Sequence, residues 1–111
     1  MATKSLLHRI LDFVHARESV TTDQVVAVVG RFIPEAQAVK NGRAYINRPY
    51  YRNRFDRNHS RYTTEYLARI GRKEMVSMTL RRAVSRGKIR RISRGVYGPL
   101  LPQIYPPSVA G

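Results

Sequence analysis

The chain has 111 residues and no cysteine, and its 21 basic side chains face only 7 acidic ones, for a formal net charge of +14. A chain of that length is one domain and buries a core without a disulfide or a metal. The absence of thiols excludes a disulfide framework and thiolate metal sites. The charge is unevenly placed: residues 1–39 carry Lys4, Arg9, Arg17 and Arg31 against Asp12, Glu18, Asp23 and Glu35, residues 95–111 carry none, and the whole excess lies between Lys40 and Arg94. Charge of one sign confined to half a chain predicts a polyanion-binding surface rather than general solubilisation. No secretory apolar segment follows Met1, and no apolar run nears the roughly twenty residues that span a bilayer. The expectation is therefore a cytoplasmic protein with no membrane partner.

In chain order, residues 5–17 place Leu6, Leu7, Ile10, Leu11 and Val14 on one side of a helix. Ser19 and Val20 fit a very short strand. Thr21-Thr22-Asp23-Gln24 reads as a capping box, with Thr21 as N-cap, that opens a second helix stopped by Gly30. Because Val25, Val26, Val28 and Val29 are poor helix formers, this helix depends on packing against the first. Ile33-Pro34 starts a third, short helix, with proline at its first position and an end near Asn41-Gly42. Residues 40–62 form a surface insertion, extended or partly helical, with seven basic residues and the aromatics Tyr45, Tyr50, Tyr51, Phe55 and Tyr62. Residues 63–72 are helical in pattern and echo residues 21–31, which leaves two candidates for the helix before the next one. Residues 72–86 put Val76, Leu80, Ala83 and Val84 on one helical face and Glu74, Met78, Arg81, Arg82 and Ser85 on the other. Gly87 ends that helix. Residues 88–93 and 96–98 then form a basic hairpin turning at Arg94-Gly95, with a bulge because Ile89 and Ile92 are three apart. Residues 99–111 read as a Pro-rich tail.

The order helix, short strand, helix, basic helix, basic hairpin predicts a mainly α (α+β) domain over residues 1–98, a winged helix-turn-helix with a two-stranded β wing. Within it, Leu80 followed by Arg81 and Arg82, then Gly87, the strand at Ile89 and the ending Arg94-Gly95-Val96-Tyr97 resemble the helix-and-wing segment of small bacterial transcriptional regulators. The N-terminal domain of abortive-infection (type IV) antitoxins is among them, and a similar ending closes the winged domains of some restriction endonucleases. The close resemblance covers about a fifth of the chain, residues 76–97, and extends more loosely over the first two helices. It implies a double-stranded DNA partner, transcription regulation and a nucleoid-associated location.

The residues support the same chemistry. An amphipathic helix with a basic outer face seats in a major groove about 12 Å wide, where Arg pairs with guanine O6 and N7. Arg81, Arg82 and Ser77 are the candidates for base contacts, with Arg72, Lys73 and Arg86 beside them on the helix. Lys88, Arg90, Arg91 and Arg94 of the wing fall to the backbone or the minor groove. In the insertion, Arg48, Arg52, Arg54, Arg57 and Arg61 fit phosphates, while Tyr50 and Tyr51 fit stacking on unpaired bases, so RNA or single-stranded DNA is the alternative partner. Tyr45, Tyr62 and Tyr66 fit core positions equally well. Asp56, His59 and Glu65 have no trusted metal-ligand spacing, His8 and His15 read as partly buried, and no glycine-rich phosphate loop is present. Neither a catalytic site nor a cofactor is expected. A homodimer on a palindromic site, an architectural protein without sequence preference and a ribosome-associated RNA binder are the competing assemblies.

Overall fold

The computed structural model of the chain describes residues 4–48 and 62–101. Among them, α1 (Leu6–His15), β1 (Val20–Thr21), α2 (Thr22–Val29), a 3-10 turn (Gly30–Phe32), α3 (Glu35–Ile46), α4 (Thr64–Ser85), β2 (Ile89–Ser93) and β3 (Val96–Pro99) follow one another. The fold is mainly helical with one small antiparallel sheet. The starts of α1, α2 and α4 are set by side chains that satisfy orphan backbone N–H groups. The Ser5 hydroxyl accepts from the His8 amide and the Thr63 hydroxyl from the Tyr66 amide. At α2 the expected capping box is complete: the Gln24 amide donates to the Thr21 hydroxyl over 3.1 Å, and the Thr21 amide to Gln24 Oε1 over 2.9 Å.

Two expected boundaries move. The third helix does not end near Asn41-Gly42 but runs on to Ile46, so the first part of the expected 40–62 insertion is helix, begun one residue after an N-cap Pro34. The two helical patterns at 63–72 and 72–86 are one continuous helix, α4. Both differences have the same cause, a close crossing of α3 and α4. A β-carbon on Gly71 would fall on the Ala38 carbonyl group, and one on Gly42 would fall on the Leu67 carbonyl group. Each glycine lets a backbone approach where any side chain would block it.

Helix α4 buries two different stripes. Leu67, Ala68 and Gly71 are buried in its first half, and Val76, Leu80 and Ala83 in its second. At 100° per residue the two stripes point roughly 140° apart. The second stripe joins Ile10 and Val14 of α1, Val25 and Val29 of α2, Val20 of β1, Ile89 of β2 and Tyr97 of β3 in the main core. The valine-rich α2 is thus held by packing, as its composition requires.

Strand β1 pairs antiparallel with β3, and β3 with β2, in the order β1-β3-β2. The expected two-stranded ribbon is therefore part of a three-stranded sheet, completed by the short strand near residue 20. The expected irregularity is present as a register shift between Arg91 and Ser93. Gly95 turns the hairpin at φ 72°. At the end of α4, the Gly87 amide donates to the Val84 carbonyl over 3.0 Å and the Lys88 amide to the Ala83 carbonyl over 2.9 Å, a Schellman motif with Gly87 at φ 71°. His8 and His15 are exposed rather than partly buried, and His15 Nε2 lies 3.1 Å from the Lys88 carbonyl at the root of the hairpin.

Candidate functional site

The exposed side of α4 follows from which side it buries. Opposite the stripe of Val76, Leu80 and Ala83 lie Arg81, Arg82 and Ser85, all exposed, with Ser77 and Met78 half-buried beside them. In the first half of the helix α3 packs on the side of Leu67 and Gly71, while Arg69 and Lys73 remain exposed. The exposed stretch opposite the second stripe is residues 77–86, about 15 Å of helix.

Between this helix and the hairpin lies an open cleft of about 890 Å³. Its floor is one face of α4, where Tyr66, Ile70, Lys73, Ser77 and Arg81 recur at helical spacing. One wall is the hairpin, with Arg91, Arg94 and Tyr97. Thr21, Thr22 and Asp23 at the start of α2 line it too, and Tyr45 near the end of α3 closes the far side.

The structure thus brings Lys73, Ser77, Arg81, Arg91 and Arg94 together around one depression. Arg82 and Arg86 are exposed on α4 outside the cleft, and Lys88 is exposed ahead of β2. Arg90 is half-buried, and its Nε donates to the Pro99 carbonyl over 3.0 Å. Arg72 is directed elsewhere: its Nη2 donates to the Ile33 carbonyl over 3.2 Å, and its buried Nε makes no hydrogen bond. It ties α4 to the segment after α2 and does not line the cleft. Arg48 is held by Glu74, with Nη1 3.0 Å from Oε1. The expected sites at Tyr50, Tyr51, Arg52, Arg54, Arg57 and Arg61, together with Asp56 and His59, lie outside the described residues, as does the tail beyond Leu101.

The electrostatics of the cleft are one-sided. Its two carboxylates already face cations, Asp23 at 3.7 Å from Lys73 and Glu74 at 3.0 Å from Arg48. Among the described residues no carboxylate pairs with Arg81, Arg82, Arg86, Lys88, Arg90, Arg91 or Arg94. Arg81 and Arg91 use Nε only for backbone carbonyls, those of Ser77 and Ser93 over 3.4 Å, which leaves their charge uncompensated. The depressed carboxyl of Asp12, hydrogen-bonded by Lys4, is on α1 and not among the cleft residues.

Sequence reasoning missed Thr21, Thr22, Tyr45, Tyr66 and Tyr97 as parts of the site. A signal for Tyr66 was present, because Tyr66, Ile70, Lys73, Ser77 and Arg81 share a face once residues 64–85 form one helix; splitting that helix at Gly71 hid it. Tyr62 and Tyr66 are stacked with ring centroids 5.4 Å apart, and both are half-buried, between the core and surface readings. Among the described residues no helix is long and apolar enough to cross a membrane, and no three His, Asp or Glu side chains gather as a metal site would require. Compared with protein-family models, with curated proteins and with solved structures, the chain finds no match.

Proposed function

We propose that this chain is a winged helix-turn-helix protein that binds double-stranded DNA as a transcriptional regulator, with residues 77–86 of α4 in the major groove and the β2–β3 hairpin as the wing. The observation that carries this reading is the convergence of two arginine-bearing surfaces, residues 77–86 of α4 and the hairpin, whose arginines pair with no carboxylate among the described residues. The position of the hairpin supports it, because β2 follows α4 directly in the chain and lines the same cleft. An exposed cationic helix face opposite a fully apolar one is what groove insertion needs. Arg81 and Arg82 read bases; Arg91 and Arg94 contact phosphates and fix the register.

Because the readout surface proposed is residues 77–86 of α4, it is short. A single copy specifies only a few base pairs, which favours two copies on a palindromic site over a lone monomer on a long one. The test is fluorescence anisotropy with a random duplex, its single strand and a matched RNA hairpin across roughly 50–300 mM salt. The duplex is expected to bind best, with a steep salt slope. Tightest binding to the RNA hairpin would overturn the reading in favour of an RNA-binding domain.

A further inference from the structure

The cleft beside α4 is more than a continuation of a flat basic surface. Its volume, about 890 Å³, lies within the range of pockets that hold small ligands, about 300–1,000 Å³. Its lining carries two chemistries side by side, with Lys73 and Arg81 on the α4 face and Val96 and Tyr97 on the hairpin. Tyr66 and Ile70 supply an aromatic and apolar floor, whereas Arg91 and Arg94 put two cations without carboxylate partners on the hairpin wall. An inorganic anion has no use for the floor, and an apolar molecule has no use for the wall. A group that is planar and aromatic at one end and anionic at the other satisfies both, and a nucleotide is such a group. The hydroxyls of Thr22 and Ser77, and the carboxylate of Asp23, supply the acceptors and donors that a base edge requires.

The position of the cleft says how the nucleotide arrives. Arg81 belongs both to the cleft and to the exposed outer face of α4, so a strand held on that face passes along the mouth. We propose that, in the duplex-binding protein inferred above, the cleft receives one unpaired nucleotide turned out of the bound duplex, its base on the floor at Tyr66 and Ile70 and its phosphate at Arg91 and Arg94. This rests on the duplex-binding reading and adds a preference to it: distorted or locally unpaired DNA is bound in favour of perfect duplex. Part of the unstacking cost is already met at a bulge, which makes such a site the preferred one.

The experiment compares the full chain on three duplexes of the same flanking sequence: fully paired, with a single-nucleotide bulge, and with the same bulge lacking its base. The bulged duplex is expected to bind about tenfold more tightly than the paired one, and the abasic bulge to lose that gain, as one stacked base predicts. Tyr66→Leu, which keeps apolar bulk, is expected to erase the difference between the bulged and the paired duplex measured on that same variant. Adenosine 5′-monophosphate alone is expected to bind no more tightly than about millimolar, since it lacks the flanking strand. Equal binding of all three duplexes overturns the inference and leaves the duplex-binding reading standing. An abasic bulge as good as the complete one also overturns it, because the preference is then for flexible DNA. Micromolar binding of the free monophosphate would assign the cleft to a soluble nucleotide instead. Failure to bind any of the duplexes would remove the duplex-binding reading itself.

Discussion

Gly71 sits against the backbone of Ala38 so closely that a β-carbon on it would lie within 2.6 Å of the Ala38 carbonyl carbon. The contact is reciprocal, since a β-carbon on Gly42 would lie 2.8 Å from the Leu67 carbonyl carbon. Gly71→Ala gains about 1 kcal/mol of helix propensity. Overpacking against backbone costs about 1–3 kcal/mol, and more where nothing can move. Net destabilisation of up to about 2 kcal/mol is expected, seen as a lower Tm in thermal unfolding followed by circular dichroism. A stabilised Gly71→Ala protein would mean that α3 and α4 do not cross as described.

Gly87 tests backbone conformation alone. It stands at φ 71°, and a β-carbon there would meet nothing within 4 Å. Gly87→Ala is expected to cost about 1–2 kcal/mol in denaturant unfolding, and Gly87→Asn less, because asparagine tolerates the left-handed region better.

Two arginines nine residues apart on the same helix are expected to behave in opposite ways. Arg81→Ala should leave thermal stability unchanged and cost about 1–3 kcal/mol at a preferred DNA site, with relaxed specificity. Arg72→Ala should lower stability by about 1 kcal/mol through loss of its bond to the Ile33 carbonyl, and leave the salt dependence of binding as it was. Paired melting curves and salt titrations separate the two.

On the hairpin, Arg91→Ala or Arg94→Ala should weaken preferred and random duplexes by the same factor and reduce the salt slope by about one unit each. A loss confined to the preferred site would move base readout from α4 to the hairpin.

Thr21 acts at both the start of α2 and the sheet. Its hydroxyl caps α2, and its backbone pairs with Val96. Thr21→Ala is expected to cost about 1 kcal/mol, while Thr21→Ser retains most of the stability.

Much of this architecture was legible in the sequence because local chemistry fixed it. The Thr21 and Gln24 capping box, the stop at Gly87 and the turn at Gly95 each follow from what a few neighbouring residues do to the backbone. The apolar face of residues 76–84 was legible for the same reason, since one stripe faces one core. The unity of α4 was not, because its apolar stripe changes sides near Arg72, and a single-period pattern broken by a glycine looks like two helices. The role of Gly71 is a tertiary fact: only the arrival of Ala38, thirty-three residues earlier in the chain, distinguishes a glycine that ends a helix from one that admits a neighbour. Likewise nothing local to Arg72 separates it from Arg81; the distinction is made by the carbonyl of Ile33.

The unbroken helix α4 also works as a ruler. Its 22 residues span about 33 Å, with Tyr62 and Thr63 just ahead of one end and Arg86 and the hairpin at the other. The second half packs into the main core and the first half packs against α3. Arg48 and Tyr62 therefore stand at a set distance from Arg81.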